Sequence, residues 1–74
     1  MNACKVLAID LGSGSGRGIW GALKNGRIEC VKEVHRFKNG FIQINGGIYW
    51  DYVAIYRGIL DCLRACKKKD LRVD

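Results

Sequence analysis

A glycine- and serine-rich stretch between Asp10 and Arg17 holds the residues of this chain best suited to chemistry. The segment reads DLGSGSGR, so a carboxylate precedes the small residues and a guanidinium follows them. Successive backbone N–H groups in such a turn can form a concave anion-binding site, and hydroxyl and guanidinium groups can add charge-assisted hydrogen bonds. We therefore predict that the N–H groups of residues 12–16, with the side chains of Ser13, Ser15 and Arg17, bind phosphate oxygens.

Asp10 lies at the end of an otherwise apolar strand pattern. A carboxylate in that position is unfavourable unless it gains hydrogen bonds or a metal ion. Mg²⁺ bound to phosphates usually keeps several waters, and a nearby carboxylate can hold them. Asp10 is thus a candidate for a metal-side carboxylate that acts through water. The alternative is a flexible glycine hairpin in which Asp10 hydrogen-bonds to its own backbone.

Two common phosphate-binding motifs do not explain this loop. Gly16, Gly18 and Gly21 satisfy the dinucleotide-binding pattern Gly-x-Gly-x-x-Gly, but that motif needs a helix to begin within it, whereas strand-like residues follow here. A Walker A loop would need Gly-Lys followed by Ser or Thr, and none follows. The loop is therefore predicted to be the turn of a β-hairpin.

The flanking residues predict three adjacent strands in a mixed or antiparallel sheet, at residues 5–11, 18–23 and 27–37. The first of these is apolar at almost every position, as in a central strand. Asn25 and Gly26 separate the other two and are typical of a type I′ hairpin turn. That turn predicts two cross-strand pairs, which are Leu23 with Ile28 and Trp20 with Val31.

The remaining residues predict a small hairpin followed by a helix. Further Asn-Gly pairs at 39–40 and 45–46 bracket a short extended segment, which precedes another at 48–50. Asp51 is a suitable N-cap for a helix that ends near residue 68. One apolar face of this helix is predicted to pack on the sheet. Its members are Tyr52, Ile55, Tyr56, Ile59, Leu63 and Cys66.

Composition limits the class of protein. At 74 residues the chain forms one domain at most, and so small a core favours a piece of a larger protein. No apolar run approaches the ~18 residues of a membrane span, so we expect a cytoplasmic protein without membrane contact. The net charge is +6. No stacking aromatics are interleaved with the basic residues, which favours a solvated basic surface over nucleic-acid binding.

The four cysteines do not have the spacing of a zinc site. Cys4, Cys30, Cys62 and Cys66 contain no Cys-x-x-Cys pair, and His35 is the single histidine. Cys62 and Cys66 lie one helical turn apart, on one side of the predicted helix. The spacing favours buried reduced thiols.

Two stretches together resemble the N-terminal region of the rhamnulokinases, within the FGGY carbohydrate kinase family. The stretch AIDLGSGSGR resembles the phosphate-binding hairpin shared by sugar kinases, actin and heat-shock chaperone ATPases. The stretch EVHRFKNGFIQINGGIYWD is more specific to rhamnulokinases. Its matching residues are His35, Arg36, Phe37, Asn39, Gly40, Asn45, Gly46, Tyr49, Trp50 and Asp51.

This resemblance implies an α/β protein with the ribonuclease-H-like fold of the actin-like ATPases. Residues 1–74 would be the N-terminal portion of a truncated kinase domain, with a three-stranded mixed sheet, a small hairpin and one helix. The implied reaction transfers the γ-phosphoryl group of ATP, with Mg²⁺, to the 1-hydroxyl of L-rhamnulose. The ATP-binding positions fall on Ser13, Gly14, Ser15, Gly16 and Arg17, and the metal-side carboxylate falls on Asp10.

The family's catalytic base and most of its sugar and adenosine sites lie in later segments. The resemblance therefore implies that this chain is inactive without the remainder of the kinase chain. Two positions depart from the family pattern. Ser13 and Gly14 stand where an Ala-Ser pair is usual, and Lys38 stands where a proline is common.

Two other classes of protein stay open. One is a nuclease or Holliday-junction resolvase of the same fold, in which Asp10 would bind the catalytic metal directly together with further carboxylates. The other is a noncatalytic scaffold domain that keeps the fold.

Overall fold

The computed structural model of the protein describes residues 3–74 and shows an α/β arrangement of five strands and one helix in that range. Strands β1, β2 and β3 form one antiparallel sheet in that order, and β4 and β5 form a separate antiparallel hairpin. The elements are β1 (Ala3–Leu11), β2 (Ser15–Lys24), β3 (Arg27–Lys38), β4 (Phe41–Ile44), β5 (Gly47–Trp50) and α1 (Tyr52–Lys68).

All three predicted strands of the main sheet are present, and every pair in the described residues is antiparallel. This confirms the antiparallel alternative of the residue-based prediction, whereas the mixed sheet implied by the resemblance is wrong for these residues. A short turn joins each strand to the next and returns it in the opposite direction, which can only produce antiparallel neighbours. Strand β2 begins at Ser15, three residues earlier than predicted. Ser15, Gly16 and Arg17 therefore belong to a strand and not to the turn.

The predicted type I′ turn is confirmed. Asn25 and Gly26 have φ values of 52° and 76°, and Asn45 and Gly46 repeat this geometry at 50° and 79°. Positive φ at both central residues is what a type I′ turn requires, and Asn and Gly adopt it most readily. The local sequence therefore determines both hairpin turns.

The predicted register of β2 and β3 is correct next to the turn and wrong beyond it. Leu23 pairs with Ile28 as predicted, but Trp20 pairs with Lys32 and not with Val31. A register shift beside Leu23 gives β3 one extra residue. Such a bulge moves the next pairs by one position and thus exchanges the faces of the strand. A second register shift, between Ile19 and Gly18, moves the pairs beyond it by one more position.

Helix α1 has the predicted bounds and the predicted N-cap. The side chain of Asp51 accepts a hydrogen bond from the backbone N–H of Ala54 at 3.1 Å. This bond satisfies one of the N–H groups that have no partner within the first helical turn. None of the helical structure in residues 3–74 is long and apolar enough to cross a membrane.

The predicted packing face of α1 is wrong for its largest side chains. Tyr52 is 76% exposed, and Tyr56 and Leu63 are exposed as well. The helix instead buries small residues at four-residue spacing, which are Gly58, Cys62 and Cys66. Small side chains bring the helix close to the sheet, and a Cβ placed on Gly18 of β2 would lie 2.6 Å from the sulfur of Cys62.

The core lies between α1 and the three-stranded sheet. Trp20, Val34 and Cys66 form a buried cluster, and Cys62 is fully buried beside it. The indole Nε1 of Trp20 donates a hydrogen bond to the backbone carbonyl of Arg72 at 2.7 Å. Burial raises the pKa of the Cys62 and Cys66 thiols, so both stay protonated at neutral pH. The prediction of buried thiols is confirmed for Cys62 and Cys66, but it is wrong for Cys4, which is exposed, while Cys30 is half-buried.

Candidate functional site

The predicted phosphate-binding loop is a short turn between β1 and β2. The backbone N–H of Gly12 donates to the carbonyl of Ser15 at 2.8 Å, and Leu11 pairs with Gly16 to begin the ladder. Residues 12–15 are exposed at this end of the sheet. The turn is thus closed by the backbone and open to solvent on its outer side.

The backbone donors that this turn offers are those of Ser13 and Gly14. Neither N–H has a hydrogen-bond acceptor within residues 3–74. By contrast, the N–H of Gly12 is used within the turn, and Gly16 lies in a central strand paired on both sides. Of the predicted donors in residues 12–16, the two N–H groups at the tip of the turn are thus the ones without an acceptor in residues 3–74.

Asp10 and Arg17 are cross-strand partners beside the turn. Arg17 Nε lies 3.0 Å from Asp10 Oδ2, and both side chains are about half exposed. The structure thus places the predicted metal-side carboxylate and the predicted phosphate-binding guanidinium in direct contact. An exposed pair of this kind is weak, so either partner can exchange it for a ligand.

Two residues of β3 extend this charged row. Glu33 Oε1 lies 2.7 Å from Arg36 Nη2 and 3.5 Å from Arg17 Nη1. The hydrogen bond from Arg36, with a further contribution from Arg17, holds the pKa of the Glu33 carboxyl below its ordinary value. Opposite charges therefore alternate across three strands, from Asp10 to Arg36.

A shallow cavity of about 200 Å³ brings together three of the six predicted site residues, which are Asp10, Ser15 and Arg17. It is lined by Asp10, Gly12, Ser15, Arg17 and Arg36. The sequence of the loop does not predict Arg36 as a site residue, because Arg36 lies on β3 and lines the cavity only in the folded chain.

The other predicted residues lie in different surroundings. Ser13 lines a second cavity of about 420 Å³, together with Trp50 and Ile55. Gly14 is at the tip, where a Cβ would meet no atom within 4 Å. Gly16 is buried. The structure thus brings Asp10, Ser15 and Arg17 together but not Ser13 or Gly16.

Gly16 has a packing role. It pairs with Phe37 on β3, and a Cβ at Gly16 would overlap the Phe37 ring. A Cβ at Gly58 of α1 would overlap the same ring from the helix side. The ring therefore fills the space between two glycines and connects the helix to the strand that carries the loop.

Asn39 lies in the connection between β3 and β4 and contacts the loop. Its backbone N–H donates to the carbonyl of Gly14 at 3.2 Å, and its side-chain Nδ2 donates to the carbonyl of Gly12 at 2.6 Å. Unlike the other two Asn-Gly pairs, Asn39 and Gly40 have no positive φ and do not form a type I′ turn. The side-chain bond joins Asn39 to Gly12, which are 27 residues apart in the sequence. Local sequence patterns therefore carry no signal for it.

Comparison with known proteins supports the class of protein that this hairpin suggests, because the curated relatives are sugar kinases. No protein-family model matches the chain. The chain is 44% identical over 57 residues to the rhamnulokinase of Bacteroides thetaiotaomicron, a match that covers 77% of the chain and 12% of that protein. It is 47% identical over 60 residues to the rhamnulokinase of Oceanobacillus iheyensis, with 81% and 12% covered. It is 42% identical over 60 residues to that of Bacillus subtilis, again with 81% and 12% covered.

These matches confirm the resemblance, and the chain is homologous to part of the rhamnulokinases. It spans about 12% of the length of these curated relatives.

Proposed function

We propose that this chain is the phosphate-binding segment of an ATP-dependent kinase that phosphorylates the 1-hydroxyl of L-rhamnulose. One observation carries the proposal. In a chain homologous to rhamnulokinases, a hairpin turn offers two unpaired backbone donors beside a cavity lined by Ser15 and Arg17. Backbone N–H groups, hydroxyls and guanidinium groups are the donors that phosphate oxygens accept.

The residues of the turn fit a triphosphate. The N–H groups of Ser13 and Gly14 would bind phosphate oxygens at the tip, while the Ser15 hydroxyl and Arg17 would approach from the cavity. Glycine at position 14 removes a side-chain contact that the family pattern would supply. The backbone donor at that position is kept, so the departure changes side-chain contacts and not backbone contacts.

Asp10 fits a magnesium ion that is bound mainly by phosphates. Its carboxylate is 57% exposed and contacts Arg17, a partner it can exchange. A single carboxylate suits Mg²⁺ that keeps several waters and takes its other ligands from a nucleotide. When bound, Mg²⁺ neutralises charge on the transferred phosphoryl group. Asp10 would hold the ion through water, and Arg17 would then be free to pair with phosphate.

The remainder of the kinase chain belongs to this proposal. We infer a ribonuclease-H-like domain in which the antiparallel sheet and α1 form the N-terminal portion, in a cytoplasmic enzyme. Phosphoryl transfer requires that both substrates be positioned and that charge be neutralised. The turn would supply phosphate contacts, so the catalytic base and the adenosine and sugar sites would come from other segments. The chain alone is then inactive.

A chimaeric enzyme tests the proposed function. The segment of this chain that matches the Bacteroides thetaiotaomicron rhamnulokinase would replace its counterpart in that enzyme. Arg17→Ala should lower kcat/KM for ATP by about 100-fold, as expected for one lost charge-stabilising donor, with the KM for L-rhamnulose nearly unchanged. Asp10→Ala should lower kcat and raise the Mg²⁺ concentration needed for half-maximal rate.

The matched control is Arg27→Ala, which removes an exposed arginine at the opposite end of the sheet and should leave both parameters unchanged. Wild-type kinetics for both Arg17→Ala and Asp10→Ala would contradict the proposed site. An inactive wild-type chimaera would contradict the proposed function. Sugar phosphorylation by the 74-residue chain, above a control for contaminating kinases, would contradict its inferred dependence on other segments.

A further inference from the structure

Asn39 makes two hydrogen bonds to the turn, and both go to backbone carbonyls. Its N–H binds the Gly14 carbonyl at 3.2 Å, and its Nδ2 binds the Gly12 carbonyl at 2.6 Å. A carbonyl can only accept, so the amide must present its nitrogen to Gly12. The two bonds hold the turn on either side of Ser13.

The bond to Gly12 sets the direction of a donor in the turn. The Gly12 carbonyl and the Ser13 N–H belong to one planar trans peptide group and therefore point in opposite directions. Drawing that carbonyl towards Asn39 turns the Ser13 N–H away from Asn39. The same N–H has no acceptor within the described part of the chain.

The side-chain oxygen of Asn39 shows that placing this amide beside the turn has an energetic cost. Oδ1 of Asn39 is buried and has no hydrogen-bond partner within residues 3–74. Buried polar atoms are normally paired, and an unpaired one calls for an explanation. A hydrophobic residue would avoid the unpaired oxygen but could not donate to Gly12.

We propose that Asn39 is a positioning residue that orients the Ser13 N–H towards phosphate, an inference that rests on the proposed function of the turn. Asn39 does not touch the nucleotide itself. It acts by holding the peptide groups that do. This role predicts a loss of affinity for phosphates and not for the nucleoside.

The test compares ATP and adenosine binding to the chimaeric enzyme. Asn39→Ala should weaken ATP binding by about 10-fold, because small displacements of positioned groups have large effects, while adenosine affinity stays unchanged. Asn39→Asp keeps the size of the side chain but places only oxygens near the Gly12 carbonyl. It should weaken ATP binding at least as much at neutral pH. Isothermal titration calorimetry measures both affinities.

The matched control is Gln43→Ala, which removes an exposed amide from β4. It should change neither affinity. A merely structural role for Asn39 would lower ATP and adenosine affinity together, and that result would overturn the inference. Unchanged ATP affinity in Asn39→Asp would overturn it as well, even if Asn39→Ala failed to fold. Failure of the wild-type chimaera to bind ATP would refute the proposed function instead.

Discussion

The three-stranded sheet and the β4–β5 hairpin use the same Asn-Gly turn but differ in burial. Trp20 on the sheet is 6% exposed, whereas Trp50 on the hairpin is 46% exposed. Helix α1 covers one face of the sheet, while in the hairpin Trp50 contacts the Phe41 ring at a centroid distance of 4.5 Å. A turn thus determines that two strands pair, but a covering element determines whether their side chains form a core.

The hairpin has a largely uncovered apolar surface in the described chain. Its exposed apolar side chains are Phe41, Ile42, Ile44, Ile48, Tyr49 and Trp50. An isolated two-stranded hairpin is marginally stable in water, and large exposed apolar patches are typical of interaction surfaces. This exposure agrees with the proposal that the chain is one part of a larger kinase.

The largest expected difference comes from removing one tryptophan from each region. Trp20→Ala should lower the free energy of unfolding by about 3–5 kcal/mol, because it leaves a cavity in the core and removes the bond to Arg72. Trp50→Ala should lower it by about 1 kcal/mol, the contribution of one exposed aromatic pair. Urea unfolding followed by far-ultraviolet circular dichroism measures both. Equal losses would contradict the difference in burial.

A smaller effect on stability is expected from replacing a tightly packed glycine of α1 by alanine than from removing Trp20. Alanine normally stabilises a helix relative to glycine by about 1 kcal/mol. In Gly58→Ala the new Cβ would overlap Phe37, whose ring is confined from the other side by Gly16. We expect a net loss of about 1–3 kcal/mol from overpacking. Gly40→Ala, where no atom lies within 4 Å, is the control.

Thermal unfolding of the two glycine variants would decide between propensity and packing. A higher midpoint for Gly58→Ala than for the wild type would show that the Phe37 ring moves freely, and would contradict its tight packing between Gly16 and Gly58.

Replacing the glycine of each Asn-Gly turn by alanine should cause similar local strain. The strain should destabilise the main sheet in one case and only the small hairpin in the other. Gly26→Ala and Gly46→Ala each force alanine into positive φ, which costs roughly 1–2 kcal/mol. Strain at Gly26 lies within the main sheet and should lower its melting temperature. Strain at Gly46 should disrupt mainly β4 and β5, visible as amide chemical-shift changes confined to residues 41–50. A global loss of stability in Gly46→Ala would contradict the independence of the hairpin.

The smallest effect concerns the exposed charges beside the turn between β1 and β2. Hydrogen bonds from Arg36 and Arg17 lower the pKa of Glu33 in the folded protein. Its stabilising contribution is therefore present above the ordinary carboxyl pKa and is lost as the pH falls through the folded value. The stability difference between wild type and Glu33→Gln should accordingly shrink on acidification. A difference that grows at low pH would contradict this ion-pair arrangement.

Much of the fold could be predicted from residues that are close in sequence. The turns at Asn25 and Asn45 follow from the φ preference of Asn and Gly, and the cap at Asp51 follows from a hydrogen bond three residues away. The position of the candidate loop between β1 and β2 could be predicted for the same reason. These features depend on interactions within a few residues, which the local sequence determines.

The remaining features depend on contacts between distant residues, so only the tertiary structure determined them. The helix buries Gly58 and Cys62 and exposes Tyr56. Small side chains are favoured on the packed face because Cys62 lies close to Gly18 and Gly58 lies close to the Phe37 ring. The bonds from Asn39 to the turn likewise join two segments that meet only in the folded chain. The spacing of apolar residues along the sequence identifies a candidate packing face. Which of them are buried, and which polar groups meet, depends on the shape of the surface that each element contacts.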